Sequence, residues 1–101
     1  MSVEITTGKD YLTAVLEGEI DQHWAAEIRA KIDSRLEELT PRVLILDFEK
    51  VTFMDSSGIG LILGRKRVAE SYGCSVLIKN PSRYAEKIIR LAGLSSMILP
   101  D

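Results

Sequence analysis

Two adjacent serines, Ser56 and Ser57, are the residues of this sequence that are best placed to do chemistry. They lie between Asp55 and Gly58, where an apolar segment meets the start of a predicted helix. A serine at such a position could attack a substrate, cap the helix through its hydroxyl oxygen, or accept a phosphate group. Each possibility requires different residues elsewhere in the chain.

Nucleophilic catalysis is the least favoured of the three. A serine nucleophile needs a base within hydrogen-bond reach, and the single histidine, His23, lies at the start of a different predicted helix. The chain also lacks the Gly-x-Ser-x-Gly nucleophile elbow and any Ser-x-x-Lys motif. The sequence therefore predicts a protein that is not an enzyme.

The glycines that follow the serines do not form a nucleotide-binding motif. Gly58, Gly60 and Gly64 depart from the Gly-x-Gly-x-x-Gly spacing and fall inside the predicted helix, not in the turn ahead of it. Because Gly60 and Gly64 are four residues apart, they share one face, and we expect them to let the helix approach the sheet closely. With one cysteine and one histidine, the chain has no zinc-ligand cluster, and we expect no cofactor or metal.

Capping and phosphorylation both remain open for the serine pair. Either hydroxyl could accept a hydrogen bond from a backbone amide two or three residues on. Two serines are present where one cap suffices, and they follow the carboxyl end of a predicted strand, where α/β sheets carry functional loops. The free amides and the positive dipole end of a helix would also tolerate a phosphate.

The composition is typical of one soluble domain that spans residues 1–101. Hydrophobic residues make up 46% of the chain and charged residues 28%. With 13 basic and 15 acidic residues, the formal net charge of −2 leaves no electrostatic footprint for nucleic acid. No apolar run approaches the roughly 20 residues of a membrane helix, and the N-terminal residues lack the basic n-region and apolar h-region of a signal peptide. We expect a cytoplasmic monomer without nucleic-acid or membrane partners.

Alternating strand and helix patterns predict an α/β fold in which helices cover a mixed sheet, in the order β-β-α-β-α-β-α-β. The strand patterns cover residues 3–7, 11–17, 43–46, 75–79 and 97–99. The helix patterns cover residues 22–39, residues 57–72 and a segment between Ser82 and Gly93. The unbroken apolar run at 43–46 favours a strand buried on both faces, and residues 48–56 are predicted to form a loop.

Several side chains have predicted roles within these elements. Asp21 is a candidate N-cap of the first helix, and Trp24 fits the apolar stripe that anchors this helix to the core. Phe53 and Met54 are expected to hold the serine segment down from beneath. The basic run 65–67 is interpreted as a solvated helix face, and Cys74, beside an apolar run, as a buried structural thiol.

The segment Phe53-Met54-Asp55-Ser56-Ser57-Gly58-Ile59-Gly60 strongly resembles the anti-sigma factor antagonists of the STAS domain family. The following Ile62-Leu63-Gly64-Arg65 and the earlier Gly18-Glu19-Ile20-Asp21 resemble two further segments of that family. The resemblance covers essentially the whole chain, including the order of its elements. It implies a single STAS domain over residues 1–101.

The resemblance also implies a partner-switching function in transcription regulation, in sporulation or the stress response. In that family the unphosphorylated antagonist binds an anti-sigma factor that is also a serine kinase, and thereby releases a sigma factor. The kinase phosphorylates the serine before the glycine, here Ser57, and a serine phosphatase reverses this step. The implied partner-binding residues are Asp21, Asp55, Ser56, Ser57 and Gly58. Two alternatives are an enzyme or nucleotide-binding domain that uses the serine loop, and a STAS scaffold module of a stress-signalling assembly.

Overall fold

One mixed sheet carries the domain, in a computed structural model that describes residues 2–100. Its strands lie side by side in chain order: β1 (Ser2–Gly8), β2 (Tyr11–Ile20), β3 (Val43–Met54) and β4 (Ser75–Lys79). β1 is antiparallel to β2, whereas β2, β3 and β4 are parallel to one another. The carboxyl ends of the three parallel strands therefore meet at one edge of the sheet.

The helices connect the parallel strands. α1 (Gln22–Leu39) joins β2 to β3, α2 (Ser56–Ser71) joins β3 to β4, and α3 (Arg83–Leu91) follows β4. Because both crossovers step in the same direction across the sheet and such crossovers are right-handed, α1 and α2 cover the same face. The two helices also pack against each other. The predicted order β-β-α-β-α-β-α is confirmed.

The predicted last strand is reduced to a single bridge. Residues Ser95–Met97 form a 3₁₀ turn that places Met97 in the core. After this turn only Ile98 aligns with β4, opposite Ile78, and the Leu99 amide donates to the Ile78 carbonyl at 2.8 Å.

The third strand differs from its prediction in length and in burial. β3 continues to Met54, so the expected loop at 48–56 is largely strand. β3 is longer than predicted because it pairs with β2, which is distant in the sequence. β2 extends to Ile20, and the two strands stay paired through register shifts on either side of Gly18. Burial on both faces is wrong, because Leu44 and Leu46 are buried while Ile45 between them is only half-buried.

A buried ion pair ties α1 to α2. Arg65 is only 3% exposed, and its Nε lies 2.6 Å from Asp33 Oδ1 while its Nη2 donates to Asp33 Oδ2 at 2.9 Å. Burial lowers the pKa of the Arg65 guanidinium from its ordinary value, and the Asp33 carboxylate opposes this effect. The prediction of a solvated basic run is therefore wrong for Arg65, since the helix pairing that buries it is a tertiary contact.

Cys74 is buried, as predicted, at 2% exposure. Burial raises the pKa of its thiol because it disfavours the charged thiolate, although a backbone hydrogen bond involving Leu44 acts in the opposite direction. The residue therefore packs as a small apolar side chain and is a poor nucleophile.

Candidate functional site

Asp21 and Asp55 lie side by side at the carboxyl edge of the parallel strands. Ile20 and Met54 are register partners in β2 and β3, and the Asp55 amide donates to the Ile20 carbonyl at 3.2 Å. Residues that follow paired positions of adjacent strands start about 5 Å apart. The fold therefore brings together two acidic residues that are 34 positions apart in the sequence.

Each of these aspartates caps a helix. Asp21 Oδ1 accepts a hydrogen bond from the Trp24 amide at 3.2 Å, which confirms the predicted cap of α1. Asp55 Oδ1 accepts one from the Ser57 amide at 2.7 Å. The expectation that a serine caps α2 is therefore wrong, because the carboxylate one position earlier reaches the amide first.

The two serine hydroxyls have no hydrogen-bonding role in the described part of the fold. Within residues 2–100, neither the Ser56 nor the Ser57 hydroxyl forms a hydrogen bond with another protein group. Ser56 is exposed at the first position of α2, whereas Ser57 is half-buried and faces α1. The site thus presents two free hydroxyls beside two carboxylates and two helix N-termini, whose dipoles favour negative charge.

Gly58 is the glycine that permits close packing. A Cβ built on it would lie 2.3 Å from Met54 Cγ and 2.5 Å from Met54 Sδ. Gly60 and Gly64, by contrast, have no atom within 4 Å of such a Cβ. The predicted close approach at Gly60 and Gly64 is therefore wrong, since α2 turns that face away from the sheet.

Replacing Gly58 with alanine is expected to lower the free energy of unfolding by about 1–3 kcal/mol, because Met54 is 1% exposed and has little room to move. The matched control is Gly60→Ala, which should raise stability by about 0.4–1 kcal/mol because its added methyl group meets nothing. Urea denaturation of both variants measures the difference. Equal stability of the two variants would contradict the assigned packing role of Gly58.

The apolar residues beneath the serines divide between core and surface. Met54 is buried, as predicted, but Phe53 is 44% exposed. Both belong to β3, where successive side chains point to opposite faces, so only one of the two can support the segment from the core side. The prediction that both hold the segment down is therefore half wrong.

Trp24 and His23 border the acidic pair. Trp24 is partly buried and packs against the hydrophobic core, in agreement with its predicted anchoring role. His23 is exposed, and its ring lies nearly perpendicular to that of Trp24, with centroids 4.9 Å apart. The first turn of α1 therefore carries an aromatic pair next to Asp21.

A groove runs between α1 and α2 and begins at Ser57. It has a volume of about 470 Å³. Its lining residues are Ala25, Arg29, Ser57, Gly60, Leu61, Gly64, Arg65, Arg67 and Val68. Sequence reasoning missed Arg29, although its spacing of four from Ala25 places both residues on one face of α1. We call this feature the α1–α2 groove.

The described part of the chain contains neither a metal-binding cluster nor a helix that could span a membrane. Among residues 2–100, no three histidine, cysteine, aspartate or glutamate side chains are grouped so that they could hold a metal ion. None of the helices in that range has the length and apolar character needed to cross a bilayer.

Known proteins resemble this chain over most of its length. Over 84 residues it is 38% identical to the anti-sigma F factor antagonist of Lysinibacillus sphaericus, a match that covers 83% of this chain and 72% of the relative. The structure of unphosphorylated SpoIIAA, an anti-sigma factor antagonist, superposes with a TM-score of 0.87 at 32% identity, over 97% of this chain and 86% of SpoIIAA. Phosphorylated SpoIIAA from Bacillus superposes with a TM-score of 0.79 at 32% identity, over 97% and 89%.

The family model described as the STAS domain matches residues 2–100. This match spans every strand and helix of the structure, including both capping aspartates and the serine pair at the start of α2. The chain therefore belongs to the STAS domain family.

Proposed function

We propose that this protein is an anti-sigma factor antagonist, as its relatives are named, and that it works by reversible binding and not by catalysis. The observation that carries the proposal is the pair of free serine hydroxyls between two capped helix N-termini. We define the cap surface as Asp21, Asp55, Ser56 and Ser57, with Gly58 buried beneath it. In the proposed function the anti-sigma factor binds this surface and releases its sigma factor.

The proposed off-switch is phosphorylation of the cap surface by a partner that is both anti-sigma factor and serine kinase, with a serine phosphatase reversing it. A phosphoserine carries about −1.5 to −2 charges and three acceptor oxygens. The helix N-termini would stabilise that charge within the folded domain, whereas the neighbouring Asp21 and Asp55 carboxylates would repel it. Phosphorylation would therefore weaken binding of the partner more than it would destabilise the folded domain.

We propose Ser57 as the phosphate acceptor, as the family resemblance implies. Its hydroxyl forms no hydrogen bond with another group in residues 2–100, and the residue lies where the cap surface meets the open α1–α2 groove. The Ser56 hydroxyl is also unbonded and that residue is exposed, so the experiment must distinguish the two serines.

A reconstitution with the anti-sigma F factor of Lysinibacillus sphaericus, its sigma factor and ATP-magnesium tests the proposal. We expect this chain to displace the sigma factor on size-exclusion chromatography and then to gain one phosphate. Peptide mapping by mass spectrometry should locate that phosphate on Ser57, and Ser57→Ala should abolish it while Ser56→Ala retains it.

Three other outcomes would change the proposal. Phosphate on Ser56 alone would refute the assignment of Ser57 as the switch residue. Binding without any phosphate would refute the switch and favour a scaffold module. A chain that neither binds the anti-sigma factor nor displaces the sigma factor would refute the antagonist function itself.

A further inference from the structure

The α1–α2 groove has an open floor that nothing inside the domain explains. Gly60 and Gly64 lie in the interior of α2, where glycine weakens a helix relative to alanine. Neither has a positive φ, and at each of them a methyl group would have no atom within 4 Å. Their lack of side chains therefore serves neither backbone conformation nor internal packing, and it keeps the α2 backbone accessible from outside.

The groove also carries positive charge that the domain does not neutralise. Arg29 and Arg67 are exposed and form no ion pair with any residue in 2–100. Arg65 is the third arginine of the lining, but it is committed to Asp33. Arg29 lies close enough to Arg65 to contribute to the lowering of the Arg65 pKa. Two cationic groups therefore lie near each other on this side of the groove.

We propose that the α1–α2 groove seats an acidic segment of the same partner that covers the cap surface. The charge of Arg29 and Arg67 selects carboxylates, and the bare floor at Gly60 and Gly64 admits a chain at close range to the α2 backbone. Ser57 belongs to both the cap surface and the groove, so one partner can occupy the two without a gap. This inference rests on the proposed function for the existence of the partner.

The dimensions of the groove suit a polypeptide segment. Its lining on α2 runs from Ser57 to Val68, which at the rise of an α-helix corresponds to about 16 Å. Val68 is half-buried and adds apolar contact at the far end of this length, while Leu61 is buried beneath the groove. The partner would thus meet two charge signs, carboxylates at the cap surface and guanidinium groups along the groove, which fixes its orientation.

Two alanine variants separate binding from folding. Gly60→Ala and Gly64→Ala should each raise the melting temperature by about 4 °C, since helix propensity improves and no clash arises. Each should nevertheless weaken binding to the Lysinibacillus sphaericus anti-sigma F factor by about 10-fold, because the new methyl group occupies the floor of the groove. Calorimetry gives the affinity and thermal unfolding gives the stability of the same samples.

Charge-reversal variants provide a second test of the groove as a docking site. Arg29→Glu and Arg67→Glu should each reduce affinity by about 10-fold and lower the association rate, with smaller effects at high salt. Arg42→Glu is the matched control, because Arg42 is exposed, forms no ion pair within residues 2–100, and precedes β3 at the opposite end of the sheet. That variant should bind within about 2-fold of the wild-type chain.

The outcomes distinguish this inference from the function on which it rests. Wild-type affinity in all four groove variants would overturn the groove as a docking site and leave the cap-surface function intact. An effect of Arg42→Glu equal to that of Arg29→Glu would also overturn it, since only net charge would then matter. Failure of the wild-type chain to bind would overturn both proposals.

Discussion

Replacing Asp33 with alanine is expected to lower the free energy of unfolding by about 3 kcal/mol, because it leaves the Arg65 guanidinium buried without its counter-charge. The Arg65 side chain is 4% exposed and makes two contacts with the Asp33 carboxylate, at 2.6 and 2.9 Å. Asp33 is 28% exposed, so solvent can partly reach the vacated position, and we expect the lower end of the range for buried pairs. Urea denaturation of the purified variant measures the loss.

The surface pair on the same helix is the matched control. Lys66 forms an ion pair with Glu70, but their side chains are 41% and 57% exposed. Glu70→Ala should therefore change stability by no more than about 0.5 kcal/mol. A double-mutant cycle of Asp33→Ala and Arg65→Ala should give a coupling above about 1 kcal/mol, and a coupling near zero would show that the pair is not energetically linked.

Phosphorylation of Ser57 is expected to weaken binding of the anti-sigma factor by about 30-fold or more. A charge that is buried at an interface without a partner costs roughly 2–5 kcal/mol, and each 1.4 kcal/mol is a factor of ten in affinity. The neighbouring Asp21 and Asp55 carboxylates offer no compensation, because they carry the same sign of charge as the phosphate. Surface plasmon resonance of the phosphorylated and unphosphorylated chains gives the ratio.

The control for this second prediction is a negative charge elsewhere on the surface. Ser34 is exposed on α1 and lies outside both the cap surface and the α1–α2 groove. Ser57→Asp should weaken binding, whereas Ser34→Asp should not. Amide NMR shifts on phosphorylation should stay near the N-termini of α1 and α2, and widespread shifts across the sheet would argue for a conformational switch instead.

Local patterns were sufficient to predict most of the elements and one of the two caps. The alternation of strand and helix signals predicted the α/β order, and α2 begins and ends within one residue of its predicted bounds. Asp21 could be identified as a cap because the helix that it starts has a clear apolar period and no competing residue precedes it. Interactions between residues that are close in the sequence control such features, so one sequence is enough to predict them.

The residue that caps α2 could not be predicted from its sequence neighbours alone. Asp55, Ser56 and Ser57 are all good capping residues, so the helix start was ambiguous by two positions in the sequence. The pairing of Met54 with Ile20 settles it, because it holds residue 54 in the strand and makes Asp55 the first residue free to cap. Both serine hydroxyls become available only through that long-range contact.

The order of amino acids is enough to specify what the site contains: a serine pair at a helix start, an aspartate before each of two helices, and helical glycines on one face. The arrangement of these parts comes from the packed domain. Parallel pairing of β2 and β3 sets the two caps side by side, and the packing of α1 on α2 buries Arg65 while leaving Arg29 beside the open glycines. Neighbours across a sheet or between helices depend on chain closure over tens of residues, which local propensity and spacing do not encode.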